Sequence, residues 1–288
     1  MSRFFKVGLI TAISVFSLST GLAHASEPAP NVKSILHDDT RLEPSKVFDN
    51  LYCIGSKSVV AWALKTSEGI ILIDSMWDDK DAKFIIEGME KLGLNPAEIK
   101  YIVVTHGHGD HYGGANFLRD KFNAKVVMTE VDKKIMNTLN VGPNSPRSPK
   151  TPVDIFVKDG DKITLGDSAI TVVETPGHTP GGISLIFPVN NDGEQHTAIL
   201  WGGTGVPSDL EGKLAYQTSV GHFERKSKEA GATIELTAHL FIENGYANLD
   251  KARTRKKGEK NPFILGKDGI DDYFKKLQKS IDDSLAKK

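Results

Sequence analysis

One cysteine, Cys53, stands among 288 residues, so no intrachain disulfide can form whatever the compartment. Its neighbours Leu51, Tyr52 and Ile54 read as a strand, which makes it a small buried hydrophobe rather than a ligand or nucleophile. A surplus of one charge sign is also missing: 36 Lys and Arg face 37 Asp and Glu, for a formal net charge of −1. The field of the whole chain therefore gives no support to a nucleic-acid or anionic-membrane partner. Histidine is scarce at nine residues, and four of the nine fall in two short stretches.

The first 25 residues read as a signal peptide. Arg3 and Lys6 form a positive start, Val7 to Leu22 an apolar stretch, and Ala23-His24-Ala25 an A-x-A cleavage site. An uncleaved anchor is the alternative, but the stretch is short for a span and holds Thr11, Ser14, Ser17, Ser19 and Thr20. The expectation is an exported, periplasmic protein with no stable membrane anchor. Roughly 260 residues then remain, enough for one α/β domain with a sizeable core. Residues 26–46 are expected to be irregular and 47–288 to form the domain.

Strand-like runs cover Val47–Gly55, Val59–Thr66 and Gly69–Trp77, separated by short turns, and read as an antiparallel meander. Between Asp79 and Gly93, Ala82, Ile85, Ile86, Met89 and Leu92 fall at helical spacing. Another strand, Tyr101–Val104, runs into Thr105-His106-Gly107-His108-Gly109-Asp110-His111-Tyr112-Gly113-Gly114. His106 and His108 lie two apart, so both imidazoles can turn to one side and converge on one metal. Asp110 and His111 are displaced around the turn, which suits them to a second metal. Gly113-Gly114 lets the backbone turn sharply into the next helix.

His106-x-His108-x-Asp110-His111 resembles the signature of the metallo-β-lactamase superfamily, and Thr175-Pro176-Gly177-His178-Thr179-Pro180-Gly181-Gly182 resembles its second ligand segment. The resemblance runs from about Val47 to the C-terminus. It implies an α+β fold, a four-layer αββα sandwich of two strand–helix halves, with two zinc ions per chain where loops of both halves meet. His106, His108 and His178 would hold one zinc; Asp110, His111 and His239, at the end of the strand Thr233–Thr237, the other. Asp110 is also the expected catalytic residue, orienting the attacking water.

Superfamily members that hydrolyse thioesters, lactones or phosphodiesters carry a metal-bridging aspartate after the strand that here ends at Trp201, and two β-lactamase subclasses carry a cysteine there. This chain has Gly203 or Thr204 at that place. The third β-lactamase subclass, with histidines and one aspartate only, lacks both. The expected function is therefore opening of the β-lactam ring of penicillins, cephalosporins and carbapenems by a monomer acting on a small molecule. An exported zinc hydrolase of a lactone or ester is the alternative. Better-known subclass members place a serine after this strand to meet the drug's carboxylate; Thr204 and Ser208 are the residues on offer here.

Four further residues are weighed. Trp77 packs on substrate or closes off the core. Asp74 either accepts the outer N–H of a ligand histidine or is a turn aspartate. His222 competes with His239 but falls in the helical stretch 209–230, and His196 falls in a polar hairpin. The proline-bearing loop 142–152 is expected to flank the groove.

Overall fold

The computed structural model describes residues 35–138 and 147–287. The expected signal peptide and residues 142–146 of the proline-bearing loop lie outside them.

Strands β1 (Ser45–Lys46), β2 (Leu51–Gly55), β3 (Val60–Thr66) and β4 (Gly69–Ile73) form the antiparallel meander. Helix α1 (Asp79–Lys91) then crosses to β5 (Ile99–Val103), which lies parallel to β4. A short helix α2 (Gly109–Tyr112), helix α3 (Ala115–Phe122), β6 (Lys125–Met128), α4 (Glu130–Thr138) and β7 (Ile155–Phe156) complete a seven-stranded sheet in sequence order. The second sheet holds β8 (Lys162–Leu165), β9 (Ser168–Glu174), β10 (Ile183–Asn191) and β11 (Glu194–Leu200) as an antiparallel run. After α5 (Leu210–Glu229), β12 (Ile234–Leu236) adds parallel to β11. Helices α6 (Gly245–Thr254) and α7 (Gly266–Ala286) follow.

Period-2 alternation sorts the side chains into three apolar layers. Trp62, Leu64, Ile71 and Val103 of the first sheet meet Ile170, Val172, Leu185 and Leu236 of the second between the sheets. On the outer face of the first sheet, Leu72, Ile102 and Val126 cover Ile85 and Met89 of α1 and Leu118 of α3. On the outer face of the second, Val173, Ile186 and Ile199 pack against Val220 and Phe223 of α5 and Phe274 and Ile281 of α7. This is the four-layer αββα sandwich.

Three boundaries differ from the expectation. The run 47–55 is a strand only from Leu51, because a tight turn through Asp49-Asn50 folds Ser45, in the short strand before it, back opposite Cys53. The segment before residue 47 is not wholly irregular: Arg41 bridges to Ser56, and its guanidinium meets the buried Asp81 at 2.5 Å. Strand β4 stops at Ile73, not Trp77, because Asp74 and Met76 take left-handed φ values of 58° and 61°. Aspartate tolerates that region better than most residues, and the twist turns its carboxylate away from the sheet.

Candidate metal centre

The parallel strand β5 delivers Thr105 at its carboxyl end, and His106 to His111 wrap from there into α2. Gly113 has an ordinary helical φ of −61°, so its place is not explained by a sharp turn. A Cβ there would lie 1.8 Å from the Trp77 carbonyl oxygen; the glycine is needed for close approach to the chain after β4. From the second half, the turn after β9 brings His178, and the end of β12 brings His239, held as Ala238 O accepts from Val60 N at 2.9 Å.

Six side chains gather into two triads. One nitrogen each of His106, His108 and His178 lie within 4.8 Å of one another, as do ligand atoms of Asp110, His111 and His239. His108 Nδ1 and His178 Nε2 stand 3.0 Å apart. Asp110 Oδ2 lies 3.5 Å from His111 Nε2 and 3.6 Å from His239 Nε2. Neighbouring ligands of tetrahedral zinc stand roughly 3.3 Å apart at Zn–N distances of about 2.0–2.1 Å, so both spacings suit the ion.

The outer nitrogens settle which atoms are free. His106 Nδ1 faces Thr105 Oγ1 at 3.2 Å, His111 Nδ1 faces Asp74 Oδ2 at 2.7 Å, His178 Nδ1 faces the Gly205 carbonyl at 2.6 Å and His239 Nδ1 faces the Ser58 carbonyl at 2.9 Å. Each ring thereby turns Nε2 inward, as metal-ligating histidines do. The Nε2 atoms of His106 and His111 are buried with no partner in the chain. Two orphaned imidazole nitrogens in two such donor sets fit a metal in each triad.

Charge differs between the triads. Burial pushes all three imidazoles of the first below their usual value, His106 well below and His178 to about 4, with the neighbouring rings adding to the effect. In the second, burial opposes protonation of His111, yet the Asp74 and Asp110 carboxylates push it up to about 9. Burial also opposes the charge on Asp110, but His111, His239 and His108 hold it below the usual carboxylate range.

Asp74 is the partner of a ligand histidine rather than a free turn residue. Besides His111 it accepts from Thr105 N at 2.8 Å and Thr105 Oγ1 at 3.0 Å. Asp132, on α4, was not singled out from the sequence. It is fully buried and accepts from Gly107 N at 2.7 Å, Thr179 Oγ1 at 2.6 Å and Gly181 N at 2.7 Å, tying both loops of the first triad together. Thr129-x-x-Asp132 at a helix start was the available signal, but it reads as ordinary helix-end chemistry.

A cavity of about 620 Å³ opens over the triads. Trp77, Phe241, Ile242 and Leu277 form an apolar wall, and Thr204 lies on the rim. Trp77 is fixed there: Nε1 donates to Ser58 Oγ at 3.0 Å, and the Arg147 guanidinium lies 4.8 Å from its ring centre. Ser208 is exposed and does not line the cavity, because the chain leaves it at Gly205 to start α5. His222 sits on α5 with Nε2 3.1 Å from Asp159, and His196 on β11; neither joins a triad.

Of the two places for the absent bridging acid, Thr204 lines the cavity and Gly203 is closed by packing. A Cβ on Gly203 would lie 2.5 Å from Cβ of His178, so no larger residue fits without moving that ring.

Residues 54–192 match the family model of the metallo-beta-lactamase superfamily. Among solved structures, the chain is similar to BJP-1, a subclass B3 metallo-beta-lactamase of Bradyrhizobium japonicum, with TM-score 0.74 and 29% identity over 86% of this chain and 96% of that one. The fold is shared with FEZ-1 from Legionella gormanii, with TM-score 0.73 and 24% identity over 86% and 97% of the two chains. Among curated proteins, it is 33% identical over 110 residues to a hydroxyacylglutathione hydrolase of Rhodopseudomonas palustris and 32% identical over 111 residues to one of Brucella ovis. Those matches take in 38% of this chain and 36% and 37% of the relatives' length. The chain thus carries a metallo-beta-lactamase superfamily domain.

Proposed function

We propose that this chain is a hydrolase that binds two zinc ions, one per triad, and opens β-lactam rings. The observation that carries the choice of substrate is the end of β11, where Gly203 packs against His178 and Thr204 lines the cavity, so that neither place offers a metal-bridging carboxylate. The likeness to a subclass B3 enzyme over most of both chains points the same way.

Zinc in these triads supplies an electrophile for a carbonyl oxygen and lowers the pKa of water towards about 7. The chain's own residues do the rest. Four of the five histidines hold fixed positions because each is pinned from behind through Nδ1. Asp110 turns Oδ2 to His111 and His239, which leaves Oδ1 to orient an attacking water and to receive its proton. That proton can then pass to the departing nitrogen. The apolar wall excludes bulk water from the acyl portion, and the Thr204 hydroxyl meets the substrate's carboxylate. No side-chain nucleophile is needed.

We place the protein in the periplasm as a monomer that acts on small molecules, with no nucleic-acid partner and no membrane anchor. Among the described residues, no helix is long and apolar enough to cross a membrane.

A second reading, hydrolysis of a hydroxyacylglutathione thioester, is favoured by the curated relatives. Purified protein should be offered a chromogenic cephalosporin, a carbapenem and such a thioester, with chelator and with zinc restored. Chelator-sensitive turnover of the lactams supports the first reading. Turnover of the thioester alone replaces it with the second.

A further inference from the structure

Five carboxylates are buried among the described residues: Asp74, Asp81, Asp110, Asp132 and Glu235. Four are engaged. Asp74 holds His111, Asp81 holds Arg41, Asp110 belongs to a triad and Asp132 accepts three hydrogen bonds. Glu235 is only 7% exposed, and its Oε1 is sealed without any partner. Burial, with Glu243 adding, pushes its carboxyl up to about 8. A buried polar group in this condition calls for a missing partner.

Strand β12 explains the placement. Ile234 and Leu236 face the layer between the sheets, so Glu235 points the other way, towards α7. There it lines a cavity of about 380 Å³, distinct from the one over the triads. The cavity's other acids already have cations: Glu243 lies 3.1 Å from Lys276 Nζ, and Asp272 lies 2.9 Å from Lys275 Nζ. Glu235 is the one acid of the lining left without a counter-charge. Tyr273, Phe263 and Leu265 supply an aromatic and apolar side.

We propose that this cavity binds an organic ammonium ion, with the Glu235 carboxylate as its charge partner and the aromatic side holding its apolar body. A bare divalent cation fits less well, since it calls for several free oxygens closing around it at about 2.0–2.6 Å, whereas two of the three acids lining this space are already paired with lysines. The room exceeds the roughly 30 Å³ of a water several times over, and an ammonium gains from aromatic faces as well as from the acid. Glu243, Tyr273 and Lys276 line both cavities, so the proposed site adjoins the cavity over the triads. The site stands whether or not the protein opens lactams.

The test uses the zinc-loaded full chain and benzyltrimethylammonium, a permanent cation that cannot ligate zinc, with benzyl alcohol as its neutral counterpart. Titration calorimetry in two buffers at pH 7 should show binding of the cation with release of up to about one proton, as Glu235 ionises. Glu235→Gln, which keeps the shape, should weaken binding at least tenfold and abolish the proton release. Lys276→Met, which leaves Glu243 without its cation, should tighten binding severalfold. Equal affinity for benzyl alcohol, or unchanged affinity in Glu235→Gln, overturns the proposal; so does weaker binding in Lys276→Met.

Discussion

The two triads are built from the same kinds of residue on the same scaffold, yet they meet a metal in opposite states. His106, His108 and His178 are already neutral, their protons expelled by burial and by one another. In the second triad burial lowers His239 as well, but the Asp74 and Asp110 carboxylates push His111 up to about 9. A metal entering the first displaces nothing, whereas a metal entering the second must displace a proton. Each has its own buried carboxylate: Asp132 ties the loops of the first, and Asp74 aims the histidine of the second.

The comparison is broken most strongly by removing a ligand of the first triad. His108→Ala should empty that site and reduce turnover by about a thousandfold or more, the several kcal/mol that a Lewis acid supplies. Turnover against a panel of carbonyl substrates, with metal analysis alongside, checks it. Asp110→Asn should keep the fold and the first metal while metal per chain falls from two to one; elemental analysis that still finds two would refute the assignment.

The two supporting carboxylates should act mainly on different sites, with Asp74 reaching the first only through Thr105, whose hydroxyl faces His106. Asp132→Ala should weaken the first site and Asp74→Ala the second, each by about 10–100-fold, the usual cost of losing a partner behind a metal ligand. Competition with a chromogenic chelator resolves the two sites. Equal loss at both sites in either variant would show that the triads are not independently supported.

Acid should discriminate more gently. His111 is raised to about 9 in the metal-free chain, so a metal must compete with its proton at any lower pH. Affinity of the second site should fall about tenfold for each pH unit below 9, while the first site, whose imidazoles are already neutral, should hold steady down to about pH 6. Zinc titrations between pH 6 and 9 measure both slopes. Parallel slopes would remove the distinction.

Much of this centre was legible before the fold was known, and the reason is local. His106, His108, Asp110 and His111 crowd into one loop after a β-branched strand, and His178 sits in a turn that proline and glycine stiffen. Sequence spacing alone carries such signals, because neighbouring residues share one backbone geometry. The strand meanders were legible for the same reason, through apolar alternation. The pattern misled where the backbone overrode it: the strand expected from residue 47 starts only at Leu51, after the turn at Asp49-Asn50, and β4 ends before the left-handed Asp74.

The residues that escaped act across long separations. Asp132 accepts from Gly107, 25 positions back, and from Gly181, 49 ahead. The Ser58 carbonyl pins His239 from 181 positions away. Ser208 was put near the site by its nearness in sequence to Thr204, but the chain has already turned away towards α5.

By itself the amino-acid sequence determined the two ligand loops, the alternation that makes two sheets, and the absence of a disulfide, because each is a property of neighbouring residues or of composition. Only the tertiary structure decided which histidine nitrogen faces inward, that Gly203 packs on His178, and that Glu235 is buried without a partner. Those depend on what lies across from a side chain once the sheets have stacked. A pattern of neighbours does not encode the burial and the distances that then set charge, and charge is what separates one triad from the other.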